Sequence, residues 1–128
     1  MSSLLDTSVL IALDERGSLD LPEAAAISVI SLGELRAGVE IAEGSALRAA
    51  RERRLSGVYS AFVPIAVDQR IADSYGHVLA RARSSRRSVK ATDLLIIATA
   101  RVTGRTLVTL DEGQANLARD VGQSARVP

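Results

Sequence analysis

Four acidic residues, Asp6, Glu34, Asp93 and Asp111, each fall where an apolar run ends or a helix-like run begins. Gathered at one place, carboxylates raise each other's pKa and are costly together unless a cation is present. An all-oxygen set suits a hard ion, Mg²⁺ or Mn²⁺. The chain has no cysteine and a single histidine, His77, so zinc is poorly served. That histidine lies inside a helix-like run and reads as a surface or packing residue. No Ser-His-Asp nucleophile system can be built around it. Neither a P-loop nor a GxGxxG phosphate-binding run occurs.

Each acid also has a local alternative. Asp6 can cap the helix expected to start near Ser8. Ser31-Leu32-Gly33-Glu34 has the S-x-x-E form of a capping box, in which Glu34 bonds back to the N–H of Ser31. Thr92-Asp93 reads as a cap followed by a first-turn acid favoured by the helix dipole. Asp111 can cap the last helix, with Gln114 three residues further on. Capping accounts for any one acid at a helix start. It does not predict that four should gather at one edge of one sheet.

The elements that must position them follow from the apolar pattern. Leu4-Leu5 is a short strand ending at Asp6, and Ser8 to Glu15 is a helix broken at Gly17-Ser18, with Pro22 in the connection. Ala25 to Ile30 reads as a buried strand. Ser31 to Ala42 is an amphipathic helix, with Leu32, Leu35, Val39 and Ala42 at helical spacing. A basic helix spans about Ser45 to Ser56. Phe62 to Val67 reads as a strand that Pro64 makes irregular or an edge. Asp68 to Arg83 is a long helix, Ser84 to Ser88 a basic break, and Ala91 to Val102 a helix apolar almost all round. Gly104 ends it. Thr106 to Leu110, closed by Asp111, is a strand, followed by a helix at Glu112 to Arg119 and a strand near Ala125 to Val127.

Strands alternating with helices predict an α/β fold: three layers, with a mostly parallel sheet of four to five strands and helices on both faces. Residues 1–128 contain no repeat and no linker long enough to divide them, so one domain is expected. In such sheets ligands bind outside the carboxyl ends of the strands, which is where Asp6 and Asp111 fall.

Composition narrows the function classes. Hydrophobic residues make up 47% of the 128, too many for a disordered tail. The longest apolar stretch, Leu94 to Ala100, is far short of the roughly 20 residues a membrane span requires. No signal-peptide pattern opens the sequence, so a cytoplasmic location is expected. The net charge is +1 but uneven. Arg81, Arg83, Arg86, Arg87 and Lys90 form a run without an acid, and Arg48, Arg51, Arg53 and Arg54 form a second interrupted only by Glu52. These are either solvated helix faces or phosphate-contacting patches beside the acidic centre. Phe62, Tyr59 and Tyr75 are the only aromatics, which argues against base stacking on an aromatic platform.

Four segments resemble the motifs of the PIN-domain family, in order: Leu4 to Ile11, Ile30 to Gly38, Ala91 to Ala100, and Leu107 to Asp111. The resemblance covers nearly the whole chain, and length and motif order match the VapC-type toxins of bacterial toxin–antitoxin pairs. It implies a PIN-like fold and a Mg²⁺- or Mn²⁺-dependent endoribonuclease, usually a homodimer, acting on RNA and held inactive by a VapB-like antitoxin. On that resemblance Asp6, Glu34, Asp93 and Asp111 hold one or two ions. Thr7, Ser8 and Thr109 are candidates to orient carboxylates or bind phosphate, and Arg36, Arg86, Arg87 and Lys90 are candidates to contact RNA, Arg36 alternatively an antitoxin carboxylate.

Two departures bear on the site. Family members often carry a second polar or acidic residue and a Phe after the fourth motif, whereas this chain has Glu112-Gly113-Gln114-Ala115. Asp111 is therefore the expected fourth acid, with Glu112 in reserve. Only five residues precede Asp6, so either the first strand is brief or the true start lies upstream. Two other readings compete. One is a catalytically inactive PIN scaffold that binds RNA or protein. The other, a phosphoacceptor receiver domain, would need an acid beside Asp6 and a lysine on the last strand, but Lys90 is the only lysine.

Overall fold

Leu4 and Leu5 are neighbours in β1 (Ser2–Leu5), yet they belong to different cores. Successive side chains of a strand point to opposite faces. Leu4 therefore joins Leu94, Ile97, Leu107 and Leu117, while Leu5 joins Val9, Leu35, Leu55 and Val108. Leu107 and Val108 divide in the same way in β3 (Thr106–Val108). Strands covered on both faces need no polar alternation. The computed structural model describes residues 2–17 and 24–128.

After β1 come α1 (Thr7–Arg16), β2 (Ala24–Ala26), α2 (Val29–Glu40), α3 (Ser45–Ala61), α4 (Gln69–Ser84) and α5 (Ala91–Thr103). Then β3, α6 (Glu112–Asp120) and β4 (Ala125–Arg126) complete the chain. The four strands form one parallel sheet in the order β2-β1-β3-β4. Helices α1, α2 and α3 pack on the Leu5 face, and α4, α5 and α6 on the Leu4 face. The three-layer α/β architecture is as expected, and no described helix is long and apolar enough to cross a membrane.

Strand order creates a switch point. The chain leaves β1 through α1 towards β2 on one side, and leaves β3 through α6 towards β4 on the other. The two connections diverge, which opens a crevice at the carboxyl ends of β1 and β3. Leu5 pairs with Val108, so the next residues out, Asp6 and Thr109, stand side by side across it.

Three element expectations are corrected. The strand expected at Ala25 to Ile30 stops at Ala26, because Ser28 takes an extended conformation and its side chain accepts the N–H of Ile30 at 3.0 Å. That cap starts α2 at Val29, so two β-branched residues with strand preference open a helix instead. Phe62 to Val67 supplies a single bridge between Ile65 and Ser28 rather than a fifth strand; Pro64 has no N–H with which to extend a ladder. The basic helix runs on to Ala61. Gly17, with φ 84°, caps α1 as its break predicts, while Ser18 and Pro22 lie outside the described residues.

Candidate active site

Asp6 is 5% exposed and sits at the first residue beyond β1. Its main chain is pinned to β3, the N–H donating to the Val108 carbonyl at 2.9 Å. Its Oδ2 accepts from the Ser8 N–H at 3.1 Å and the Ser8 hydroxyl at 2.6 Å. The Thr109 hydroxyl lies 3.3 Å from the same oxygen. Asp6 is thus the N-cap of α1, as its local alternative predicts, while Oδ1 stays outside the cap.

Glu34 does not cap. Ser28 fills that role, and the N–H of Ser31 bonds to the Ser28 carbonyl at 3.0 Å, so the capping box read at Ser31 is overturned. Glu34 instead accepts from the Thr7 hydroxyl at 2.7 Å through Oε1 and from the Thr92 hydroxyl at 3.4 Å through Oε2. Thr92 is likewise not a cap, since α5 begins at Ala91. Two hydroxyls from α1 and α5 hold the carboxylate of α2 at the crevice.

Asp93 lies in the first turn of α5, whose Leu94, Ile96, Ile97 and Ala100 are buried all round. Only 8% of Asp93 is exposed. Its carboxyl is pushed up to about 6, first by burial, then by the charge of Asp6, with Glu34 and Asp111 adding to the rise and Lys90 opposing it. Each of the other three predicted acids therefore acts on Asp93 through its charge. Asp111, rather than Glu112, is the acid of the fourth segment that acts on Asp93. Asp111 also caps α6, its Oδ1 accepting the Gln114 N–H at 3.1 Å. Among the described residues, no three acid or histidine side chains close into a ready-made metal cage.

The PIN-domain profile matches residues 3–120. The chain belongs to the PIN-domain family. It is 44% identical over 102 residues to Ribonuclease VapC8 of Mycobacterium tuberculosis, covering 77% of this chain and 90% of the relative. Ribonuclease VapC5 of the same organism is 33% identical over 119 residues, covering 91% of this chain and 87% of the relative. Among solved structures, the VapBC-5 toxin–antitoxin complex of M. tuberculosis contains a chain that superposes with a TM-score of 0.83 at 32% identity, over 98% of this chain and 95% of that one.

Around the acidic cluster and its carboxylates the remaining candidates divide. Thr7, Ser8 and Thr109 all bond or adjoin its carboxylates. Lys90 precedes α5 and its charge reaches Asp93. Arg86 is exposed, at a left-handed φ of 56° that glycine usually takes when a helix is closed this way. Arg87 is tied to Asp120 at 2.9 Å. Arg36 turns away from the acids: it pairs with Glu40 at 3.8 Å and lines a cleft with Glu52, Leu55, Ser56 and Tyr59. The second basic cluster is also largely engaged within the fold. Arg48 pairs with Glu40 at 3.1 Å, Arg54 with Asp14 at 2.9 Å, and Arg51 donates to the Gly38 carbonyl at 2.7 Å. His77 is exposed, 3.7 Å from Asp73.

Sequence reading missed Ser31, Thr92 and Gln114 as neighbours of these acids and of Thr7. Ser31 is fully buried, with its hydroxyl 2.9 Å from that of Thr7. Gln114 is buried beside Asp6. The only signal in the sequence was an amide three residues after Asp111, which capping explains as well. A concavity of about 830 Å³ between α4 and α5 includes none of the four acids. A groove of about 310 Å³ does reach Glu34, lined also by Ile11, Leu35, Ile41, Leu47, Arg51 and Arg54.

Proposed function

We propose that the protein is a Mg²⁺- or Mn²⁺-dependent endoribonuclease toxin, held inactive by a VapB-like antitoxin. What supports this reading is that Asp6 follows β1 and Asp111 lies beyond β3 at the crevice, with Glu34 bonded to Thr7 and Asp93 feeling the charge of all three. A donor set of carboxylate oxygens fits a hard divalent ion, and the upward push on Asp93, due first to burial and then to the charge of Asp6, is of the kind a bound cation would offset. These four acids would hold the metal. When bound, it lowers the pKa of a water and neutralises charge on the scissile phosphodiester.

The chain's own residues prepare the site. Ser8 fixes Asp6 at the head of α1, and Thr7 and Thr92 fix Glu34 in α2, so both carboxylates are held in orientation. Lys90 and Arg86 supply positive charge for the RNA backbone near an acidic centre that would otherwise repel it. The groove leading from Glu34 has walls of Ile11, Leu35, Ile41 and Leu47, which suits the apolar face of an amphipathic antitoxin segment. A homodimer acting in the cytoplasm completes the proposal.

The test is cleavage of RNA by the purified protein with Mg²⁺ or Mn²⁺ and with EDTA, alongside Asp6→Asn and Asp93→Asn. Cleavage is expected only for the wild type with metal. Cleavage in EDTA, or in both variants, overturns the proposal. RNA binding without cleavage under every condition would instead support the inactive-scaffold reading.

A further inference from the structure

The side chain of Gln114 is 1% exposed, on a helix face otherwise made of Ala115, Leu117 and Ala118. An amide buried there is costly unless its donors and acceptor are matched. Three elements match it. Oε1 accepts from the Thr109 hydroxyl at 2.7 Å, while Nε2 donates to Asp6 Oδ1 at 3.4 Å and to the Asp93 carbonyl at 3.3 Å. The orientation is forced, since flipping the amide would set its oxygen against a carboxylate and a carbonyl. The backbone N–H of the same residue donates to Asp111 Oδ1 at 3.1 Å. One residue thus bonds to the side chain of Asp6, the main chain of Asp93 and the side chain of Asp111.

The two oxygens of Asp6 are served differently. Oδ2 takes the Ser8 N–H and the Ser8 hydroxyl, with the Thr109 hydroxyl, whose proton goes to Gln114, 3.3 Å away. Among the described residues, Gln114 is the hydrogen-bond partner of Oδ1. Oδ1 is therefore the oxygen with a lone pair left to offer, and Gln114 governs where it points. A bond of 3.4 Å is at the long end for N–H···O, so it steers the oxygen without saturating it. The bond to the Asp93 carbonyl adds a second effect, tying the first turn of α5 to the end of β1.

We infer that Gln114 is a positioning residue of the divalent-metal site, setting the direction of Asp6 Oδ1 and the separation of Asp6 from Asp93. This rests on the metal-site reading above. Its effect would be felt through the acids.

Mn²⁺ titration without RNA, followed by electron paramagnetic resonance, tests it. Gln114→Met keeps length and volume but no donor; Gln114→Asn keeps the amide but falls short of Asp6. Both are expected to bind Mn²⁺ at least about tenfold more weakly, the range typical for groups that orient ligands. Far-UV circular dichroism in EDTA selects the variants that fold as the wild type does. A packing role alone would follow side-chain volume and leave Gln114→Met unchanged. Wild-type affinity in either folded variant overturns the inference. Asp6→Asn is the control: if it binds Mn²⁺ like the wild type, the metal-site reading itself fails. If Asp6→Asn loses the ion and Gln114→Met does not, only the role of Gln114 is overturned.

Discussion

The hydroxyl of Thr7 donates to Glu34 Oε1 at 2.7 Å, joining the first residue of α1 to the second turn of α2. A capping box would have turned that carboxylate back on its own helix. The bond to Thr7 turns it outward to the crevice, where its charge adds to the load on Asp93. Thr7 is buried and its hydroxyl also meets that of Ser31, so its position leaves little freedom.

Thr7→Val, which keeps the shape and removes the hydroxyl, is expected to lower metal-dependent RNA cleavage about 10- to 100-fold. Loss of the hydrogen bonds should destabilise the fold by only about 1 kcal/mol. Rate measurements at fixed Mn²⁺ and urea melts of the same variant separate the two effects. Equal cleavage by wild type and variant would show that Glu34 needs no such support.

Asp93 predicts a pH dependence of stability. The folded carboxyl holds its proton up to about pH 6, whereas an unperturbed aspartic acid loses it near 3.8. The folded state therefore binds more protons between these values, and stability contributed by this group falls as pH rises across the window. At pH 7 the ionised group costs on the order of 2–3 kcal/mol. In EDTA, Asp93→Asn should melt above the wild type at pH 7, by a margin that shrinks towards pH 5. A margin independent of pH between 5 and 7 contradicts the shift. Added Mg²⁺ should raise the melting temperature of the wild type more than that of Asp93→Asn.

Ser28 rather than Ser31 caps α2, by accepting the N–H of Ile30 at 3.0 Å. Ser28→Ala should cost about 1 kcal/mol, read from the urea midpoint at unchanged slope. An unaltered midpoint would mean that the start of α2 is held by packing alone.

Arg86 combines a backbone penalty with an exposed charge. Its left-handed φ of 56° closes α4, the next N–H bonding to the Ala82 carbonyl at 2.9 Å. Arg86→Gly should relieve roughly 1 kcal/mol of that strain and raise the melting temperature by a few degrees. The same variant should weaken RNA binding and flatten its salt dependence by about 0.7 in log–log slope, as expected for one lost phosphate contact on a single strand. Lys90→Ala should flatten it similarly, and Arg87→Ala less, because Asp120 already holds that guanidinium. Three identical slopes would return the whole run to a solvated surface.

Much of this protein was legible before folding. Period and apolar content gave the alternating elements and the layers, because strands buried on both faces must be apolar throughout. The ends of the first and third strands could be read from the acids that follow them, Asp6 and Asp111. Both turn out to be caps that remain free to serve the proposed site, since capping engages one oxygen and leaves the other outside the cap. What local sequence could not decide was the destination of a side chain with two plausible partners. Glu34 matched a capping box, and its true partners, Thr7 and Thr92, are 27 and 58 residues away. Gln114 looked like a cap companion, and its amide reaches Asp6 across a separation of 108 residues. Such bonds depend on strand order and on the register of β1 with β3. The sequence alone determined that four acids had reason to meet; only tertiary packing decided which hydroxyls and which amide would hold them there.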